Sequence, residues 1–382
     1  MSLRRIAIIG ARGVANYGGF EAVVSQLAPG LVAKGHEVYC SHRRLENGAS
    51  GRFRGAVILY FPFRFPRSNR IGRMFEVLYD WYFVVRCAFL VKCDTICCLG
   101  IVAGPILPLA RLSGAAISVN LDGLEWKRQK FHLLERIYIR AAFIASCASA
   151  HHLIIDNSQL RSSIPEQYAR KAIFIPYGVA ARECAEWNPS VLHRYIDKKV
   201  PLVRPGGYWL VVARLEPENN LYTIIEAYSK CSSKAPLVIV GDFSSPKYKA
   251  SIDALAEALQ KDKAVLFTGS IFNQDHLDML RCNCLAYLHG HSVGGTNPSL
   301  LEAMSARNVI LAHDNVFNRE VADDCAQYFK GSEDLARLLD SFESHRADYA
   351  ALGGKAYERV ESRYRWQDVV DAYHELFAGR GT

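Results

Sequence analysis

The amino-acid sequence predicts an α/β protein with two domains, each built on a parallel sheet. Two observations carry this prediction. The chain has 382 residues, more than one domain usually holds, and short apolar runs alternate with longer amphipathic stretches. This alternation is typical of βαβ units, which bring parallel strands side by side. The alternation of apolar runs with amphipathic stretches is weak in one region and then begins again, which indicates a second domain.

The strands and helices follow from this alternation. In the first half, the predicted strands are residues 5–10, 37–40, 56–60, 94–99, 116–120, 153–155 and 172–175. In the second half they are residues 208–213, 237–241, 265–268, 285–289 and 309–311. Amphipathic stretches at 221–230, 248–260 and 274–281 predict helices between strands.

The domain boundaries follow from composition. Residues 184–207 are rich in proline, glycine and charge, and we expect the linker there. The first domain is then 1–183 and the second 208–364. We expect the last segment, 365–382, to form a helix that packs back on the first domain.

Composition excludes several classes of protein. Half of the residues are apolar and 22% are charged, which excludes a disordered or fibrous chain. The longest uncharged stretch, 95–110, is broken by two glycines and two prolines, so we expect no membrane span. The 11 cysteines form no C-x-x-C pair, which indicates buried thiols in a reducing compartment. We expect a cytoplasmic protein.

Charge is distributed unevenly along the chain. Residues 1–180 carry 23 Lys and Arg against 11 Asp and Glu, whereas the remainder carries 23 against 27. The basic half suits an anionic partner, either a membrane or a phosphorylated acceptor; no nucleic-acid-binding signature accompanies it. Arg64, Arg67, Arg70 and Arg73 alternate with phenylalanines and could contact an anionic membrane on its inner face. The alternative is a covered helix with internal ion pairs.

Two polar segments follow predicted strands of the first domain. Gly18 and Gly19 lie just before a predicted helix, where backbone N–H groups can approach a phosphate; an ordinary βα turn is the alternative. The second segment holds Asp122, Glu125, Trp126, Lys127 and Arg128. Carboxylates, an indole and cations on one loop suit a polyhydroxylated ligand, and a polar loop with a helix cap at Asp122 is the alternative.

Arg214 ends the first strand of the second domain. A guanidinium at the carboxyl end of a strand suits a diphosphate. An ordinary surface ion pair is the alternative.

The segment of the second domain that most strongly indicates ligand binding runs from His289 to Met304. Pro298 fits the first turn of a helix with Asn297 as its N-cap. We expect amides near Ser299 and Leu300 to be available to an anion. A capping box between Ser299 and Glu302 is the alternative.

The same segment contains a hydrolase-like pattern. Residues 290–294 match G-x-S-x-G, with Ser292 at the position of the nucleophile. An α/β-hydrolase needs its helix to begin directly after this serine, and Gly294, Gly295 and Pro298 delay it. Ser292 as a nucleophile is therefore kept only as an alternative.

Metal binding has little support in the sequence. No Asp-x-Asp pair occurs, which counts against a metal-dependent enzyme acting on nucleotide sugars. We expect neither a metal nor another cofactor.

These segments together resemble the retaining glycosyltransferases of family 4, whose GT-B fold places two Rossmann-like domains around a cleft. The resemblance spans nearly the whole chain, through residues 13–21, 122–128, 175–179, 214–220 and 294–304. More specifically, the chain resembles a bacterial subgroup of rhamnosyltransferases. The segments Ala-Asn-Tyr-Gly-Gly-Phe-Glu and Asp-Gly-Leu-Glu-Trp-Lys-Arg recur in that subgroup.

The resemblance implies particular site residues. Glu302 matches the acidic residue that holds the nucleotide ribose, and Arg214 matches the arginine that binds the diphosphate. The family's other motif glutamate falls on Gly294 and its lysine on Asn219, so both contacts are missing. Asp122 stands where the family has an acceptor-side histidine.

The implied catalytic residues are Asp122, Arg214 and Glu302. The implied donor-binding residues are Gly18, Gly19, Arg214, Asn219, His291, Gly294, Gly295, Thr296, Asn297, Ser299, Leu300 and Glu302. The implied acceptor-binding residues are Tyr17, Asp122, Glu125, Trp126, Lys127 and Arg128.

The resemblance implies retaining transfer of a sugar from a nucleotide diphosphate to a glycan or lipid-linked saccharide in bacterial surface polysaccharide synthesis. Loss of the motif glutamate favours a deoxysugar donor, with dTDP-rhamnose first and another UDP-, GDP- or dTDP-sugar as the alternative. A protein that binds sugar nucleotides without turnover is a further alternative.

Overall fold

The strands of the computed structural model form two sheets, and each sheet lies in its own compact unit. The first unit comprises Met1–Gly178 and Trp366–Thr382, and the second comprises Val179–Arg365. The structure describes residues 3–14, 18–43, 51–66, 69–123, 125–127, 131–181, 186–196, 202–259 and 263–379, with backbone only for 69–71 and 127. The predicted α/β class is confirmed.

Eight strands form the sheet of the first unit within the described residues. They are β1 Arg5–Ile9, β2 Glu37–His42, β3 Arg52–Phe53, β4 Ala56–Tyr60, β5 Thr95–Leu99, β6 Ala116–Asn120, β7 His152–Ile155 and β8 Ala172–Phe174. Their order is β3-β4-β2-β1-β5-β6-β7-β8, and only the β3–β4 pair is antiparallel. Ile6 to Ile9 are almost fully buried, because helices cover both faces of a parallel sheet.

The helices of the first unit connect these strands. They are α1 Gly19–Ala33, α2 Asn69–Val85, α3 Leu107–Ala110 and α4 Leu133–Ser149. A π-helical turn, Arg86–Leu90, continues directly from α2.

Six parallel strands form the sheet of the second unit in the described part of the chain. They are β9 Trp209–Val212, β10 Leu237–Val240, β11 Val265–Gly269, β12 Ala286–His289, β13 Ile310–His313 and β14 Ala326–Phe329. Their order is β11-β10-β9-β12-β13-β14. Numbered within the unit this is 3-2-1-4-5-6, the order of a Rossmann sheet.

The second unit has eight helices among its described residues. They are α5 Pro189–Ile196, α6 Leu221–Lys230, α7 Pro246–Glu257, α8 Gln274–Cys282, α9 Pro298–Ser305, α10 Val316–Ala322, α11 Ser332–Ser344 and α12 Arg346–Arg363. On one side of the sheet, Trp209 is fully buried and packs edge-on against Phe342 of α11. Its indole N–H donates to the Ser233 hydroxyl over 3.0 Å, so the ring is buried without an unpaired donor.

The last helix, α13 Trp366–Phe377, belongs to the first unit. It packs on α1, where a Cβ at Gly30 would lie 2.6 Å from a methyl carbon of Val370, so the two helices can approach only at a glycine. Lys34 Nζ lies 2.5 Å from an Asp371 carboxylate oxygen. The chain therefore leaves the first unit after Gly178 and returns to it at Trp366.

The unit boundary differs from the linker predicted at 184–207. The division lies at Gly178, and α5 lies inside the predicted linker but packs against β11 of the second unit. Leu192 and Ile196 are buried there. The proline and glycine content suggested an open linker, but these two apolar side chains anchor the segment to the second unit.

Ten cysteines lie in the described residues, and none of these ten is part of a disulfide there. Eight are buried, and Cys282 and Cys284 are partly exposed. Burial raises the pKa of Cys97 to about 12, so this thiol stays protonated and unreactive at neutral pH.

Candidate functional site

The strand order of the second unit reverses between β9 and β12. Loops that leave these two strands run to opposite sides, which opens a crevice at their carboxyl ends. The segments 213–220 and 290–297 follow β9 and β12, and they contain most of the residues that the sequence predicts for the donor.

These two segments are held together by hydrogen bonds. Asn220 Nδ2 donates to the Gly290 carbonyl over 2.7 Å, and the Ser292 amide donates to the Glu218 carbonyl over 2.9 Å. A Cβ on Gly290 would lie 2.0 Å from the Asn219 carbonyl oxygen, so only glycine allows this approach.

Asn219 connects Arg214 to His291. Its amide nitrogen donates to the Arg214 carbonyl over 2.6 Å, and its oxygen lies 2.8 Å from His291 Nδ1. The Asn219 oxygen can only accept a hydrogen bond, so His291 Nδ1 carries the proton. In a neutral imidazole ring, His291 Nε2 is then an acceptor. The position where the resemblance expects a lysine thus orders a histidine, while the Arg214 side chain is exposed.

Helix α9 begins at the residues that the sequence predicts. Pro298 is its first residue, and the Asn297 side chain accepts from the Ser299 amide over 2.9 Å. The Leu300 amide donates to the Asn297 carbonyl over 3.1 Å. The amides of Ser299 and Leu300, which the sequence predicts to be available to an anion, thus both donate to Asn297 in this structure.

The carboxylate of Glu302 is held by a buried arginine. Arg281 of α8 is 1% exposed and donates through Nη2 to Glu302 Oε2 and through Nη1 to Asp278 Oδ1, the latter over 3.1 Å. Burial disfavours the charge, but Glu302 and then Asp278 outweigh it and raise the pKa of Arg281. Ser299 and Glu302 do not form a capping box, since Asn297 and not Ser299 is the N-cap of α9.

Sequence reasoning missed Arg281. The available signal was its position on the apolar face of α8, four residues after Leu277 and one after Leu280, both buried. A cation on such a face needs a buried anion as its partner. Only the fold shows that Glu302, 21 residues later, is that partner.

The glycine loop before α9 adopts a conformation that excludes other residues. Gly294 has φ +113°, outside the range that residues with a Cβ adopt readily. The glutamate that the resemblance expects at this position would be unfavourable in this conformation. Gly294 and Thr296 are buried, and Gly295 is partly exposed.

His289 lies at the end of β12, below this loop. It is fully buried, and its ring stacks on Tyr287 with 6.0 Å between ring centroids. Burial, with a smaller effect of His313, lowers the pKa of His289 to about 3. The ring is therefore neutral at physiological pH.

The first unit has its own reversal of strand order, between β1 and β5. Gly10, after β1, has φ +112°, and a Cβ there would lie 2.1 Å from the Leu99 carbonyl oxygen. Glu21 in the first turn of α1 accepts from the Arg12 amide over 2.9 Å. A Cβ at Gly18 would lie 2.0 Å from the other Glu21 oxygen. The start of α1, predicted to approach a phosphate through Gly18 and Gly19, therefore already holds a carboxylate.

The loop after β6 carries the predicted acceptor residues. Asp122 has φ +54°, and its amide donates to Asn120 Oδ1 over 2.9 Å. Glu125 is partly exposed. The Trp126 ring lies on Phe143 of α4 with centroids 4.6 Å apart, so one surface of the indole is used in packing. Tyr17, Arg128 and the Lys127 side chain lie outside the described residues.

The structure describes the side chains of two arginines of the predicted membrane-contact cluster, and their surroundings differ. Arg64 is exposed, whereas Arg73 forms an ion pair with Glu135 over 3.0 Å. Arg67 and the Arg70 side chain lie outside the described residues. For Arg73, the alternative of an internal ion pair is therefore the correct one.

Two family comparisons match the two units separately. Residues 196–359 match the family described as glycosyl transferases group 1. Residues 3–180 match a domain of unknown function, DUF1972. The second unit is thus similar to the group 1 glycosyltransferases over most of its length. No curated protein matches the sequence.

Several solved structures share the fold of this chain along nearly its whole length. Sucrose-phosphate synthase from Thermosynechococcus elongatus has a TM-score of 0.75 at 16% identity, covering 98% of this chain and 100% of that one. Anabaena HepE in complex with UDP has a TM-score of 0.72 at 14% sequence identity, covering 99% of this chain and 100% of that one. A UDP-forming trehalose-phosphate synthase from Burkholderia vietnamiensis has a TM-score of 0.72 at 12% sequence identity, covering 98% of this chain and 100% of that one. The predicted GT-B fold is confirmed.

The segment around Ser292 does not form the hydrolase elbow. The Ser292 hydroxyl donates to the Glu218 carbonyl over 2.8 Å, and α9 begins six residues after this serine. A nucleophilic serine needs a base as its partner and a helix directly after it. The Ser292 alternative is therefore rejected.

The described residues contain neither a cluster of metal ligands nor a membrane-spanning helix. No group of three or more His, Cys, Asp or Glu among them is placed to hold a metal ion. None of the helices they form is long and apolar enough to cross a bilayer.

Proposed function

We propose that the glycosyltransferase transfers a sugar from a nucleotide-diphosphate donor, bound by the second unit, to a glycan or lipid-linked saccharide bound by the first. The observation that carries the proposal is the Glu302 carboxylate fixed by Arg281 at the reversal of strand order. Two of the similar structures are Anabaena HepE in complex with UDP and with UDP-glucose. We assign Glu302 to the ribose, since a carboxylate accepts hydrogen bonds from two neighbouring hydroxyls.

The proposed chemistry retains the anomeric configuration. The bond between the sugar C1 and the diphosphate oxygen breaks, and a bond from C1 to the acceptor oxygen forms on the same face. The acceptor proton passes to an oxygen of the leaving diphosphate. Arg214 stabilises the charge that develops on the diphosphate, and Asp122 orients the acceptor. No nucleophile of the protein and no metal takes part in this proposal.

The donor is proposed to be dTDP-rhamnose. Gly294 supplies no carboxylate to a sugar hydroxyl, and rhamnose has no hydroxyl at C6. The product would belong to a bacterial surface polysaccharide, made on the cytoplasmic face of the membrane. We further propose that Arg64, Arg67 and Arg70 contribute to an electrostatic contact with that membrane; the ion pair with Glu135 reduces the part of Arg73.

A thermal-shift screen of sugar nucleotides tests the donor, because a ligand that binds only the folded state raises Tm. We expect dTDP-rhamnose to raise Tm more than UDP-glucose or GDP-mannose, and Glu302→Gln to weaken the shift. Product analysis by NMR then decides between retention and inversion. A donor that binds without turnover with any acceptor would favour the non-catalytic alternative.

A further inference from the structure

The first unit exposes an unusual concentration of apolar side chains. Eleven large apolar side chains in the described residues are at least half exposed, and eight of them lie between Phe63 and Ile137. They lie on or beside α2, the π-helical turn, α3 and the first turns of α4, which we name the apolar face. Its most exposed members are Met74, Leu90, Leu112, Leu133 and Leu134.

These elements form one continuous surface. Helix α3 packs against both α2 and α4. The bidentate ion pair of Arg73 with Glu135 joins the start of α2 to the start of α4. Met74 follows Arg73 in α2, and Leu134 precedes Glu135 in α4, so both exposed side chains lie beside this ion pair in sequence. An exposed apolar patch of this kind is typical of an interaction site.

A groove opens within the apolar face. It has a volume of about 540 Å³ and is lined by aromatic and aliphatic side chains, among them Phe63, Leu78, Trp81, Val85 and Leu90. This is the size of a small-molecule site.

The one charged side chain that lines the groove is already engaged. Arg86 Nη1 donates to the Tyr60 carbonyl over 3.3 Å and to the Tyr82 hydroxyl over 3.2 Å. The groove therefore offers little to a polar ligand and suits a hydrocarbon chain.

The charge around the apolar face is positive. Residues 63–144 contain twelve Lys and Arg against six Asp and Glu. Asp80 pairs with Arg12 over 2.7 Å, Glu76 also pairs with Arg12, and Glu135 pairs with Arg73. Half of the acidic side chains are thus neutralised, and an anionic partner is favoured over a neutral one.

We propose that the apolar face docks on an anionic phospholipid bilayer and that the groove holds one acyl chain of a bilayer lipid. Apolar side chains enter the acyl region while the surrounding cations face the headgroups. The proposal deepens the membrane contact above, but it rests on apolar exposure and on the groove, and it does not depend on which sugar is transferred.

Vesicle flotation of the full chain tests the docking. Wild type should float with vesicles of equal phosphatidylglycerol and phosphatidylcholine, and at 0.5 M salt a measurable part should remain bound, since salt screens only the electrostatic contribution. Leu90→Ser with Leu112→Ser and Leu134→Ser should lower binding at least tenfold at both salt concentrations. The matched control is Phe272→Ser with Val316→Ser, two exposed positions of the second unit, and it should float like wild type.

Fluorescence quenching tests the groove. Lipids with a quencher on the acyl chain should quench wild-type tryptophan emission, and Trp81→Phe should remove most of that effect. The control Trp187→Phe should not.

Three results would overturn the proposal. The first is equal flotation of the triple serine variant and wild type. The second is complete release of wild type at high salt together with an absence of quenching, which would assign the contact to the arginines alone. The third is a protein dimer that the serine variant dissociates, without vesicle binding, which would assign the face to a second copy. The nucleotide-sugar donor should raise the Tm of the triple serine variant as much as that of wild type. A failure of membrane docking can then be distinguished from a failure of the proposed sugar transfer.

Discussion

The buried guanidinium of Arg281 holds the carboxylate of Glu302, which lies in the middle of the helix that follows the glycine loop. One partner is almost fully buried, and the side chain of the other is about a quarter exposed. The arginine thus fixes the acidic side chain from inside the unit, while the carboxylate keeps a surface toward solvent.

Glu302→Gln should preserve the fold and lower sugar transfer by ~10²-fold, the effect of removing one preorganised polar contact. Arg281→Met should instead lower the free energy of unfolding by roughly 3 kcal/mol, because it leaves two acidic groups without their buried partner. Denaturant unfolding and initial rates separate the two effects. Equal stability of wild type and Arg281→Met would contradict a structural role for the ion pair.

Arg214→Ala should change stability by less than about 0.5 kcal/mol, since the side chain is exposed. We expect turnover to fall by ~10²-fold because charge on the leaving diphosphate loses its cation. Arg161→Ala, another exposed arginine, serves as the matched control and should be fully active. If both variants turn over like wild type, Arg214 does not contact the donor.

Turnover should survive exhaustive chelation. Under the proposal, Arg214 stabilises the charge that develops on the leaving diphosphate, so an ion is not needed for the chemistry. Initial rates are measured before and after treatment with a strong chelator, with back-titration of Mg²⁺ and Mn²⁺. Activity that disappears and returns only with a divalent ion would refute this expectation.

Stability should fall as the pH falls below 6.5. Burial lowers the pKa of His289 to about 3 from its ordinary 6.5, so between these values the unfolded chain binds a proton that the native chain does not. This histidine can account for up to ~1.4 kcal/mol per pH unit. In unfolding measurements at pH 5 to 8, His289→Gln should show a shallower pH dependence, and exposed His345→Gln should follow wild type. Parallel curves for wild type and His289→Gln would show that His289 is not responsible.

Gly294→Glu should not restore the acidic contact of the resembling family. The left-handed φ at Gly294 makes any side chain unfavourable there, and we expect a loss of about 1 kcal/mol in stability. Gly354→Ala is the control, because Gly354 lies inside α12 with open space around it, and this change should stabilise slightly. A more active Gly294→Glu enzyme would show that the loop can adopt another conformation.

Local chemistry made much of the fold predictable. Asn297 and Pro298 mark the start of α9 because each satisfies a specific need of a helix N-terminus. The apolar runs at 6–9 and 237–240 are strands because parallel sheets bury both faces. By contrast, β14 has an alternating Ala-Gln-Tyr-Phe pattern at the sheet edge, and short apolar runs do not detect it.

The candidate site was less predictable, because its key contacts join distant residues. Glu302 could be named from its position in a segment, but its partner Arg281 lies on another helix. The Ser299 amide was expected to be available because the sequence does not show whether Asn297 or a ligand takes its hydrogen bond. Arg73 was assigned to a membrane contact because Glu135, 62 residues later, is not visible as its partner from the sequence.

The position of α13 has a consequence for the order of folding during synthesis. The second unit is an uninterrupted segment, and its entry and exit lie side by side, with the Val179 amide donating to the Tyr364 carbonyl over 2.7 Å. The ribosome therefore completes every residue of the second unit before it makes α13. Until then, the surface of α1 around Gly30 and Lys34 has no cover, and His36 lacks the His374 ring whose Nδ1 lies 2.8 Å from its Nε2. The unit that begins first in the chain is thus the one that finishes folding last.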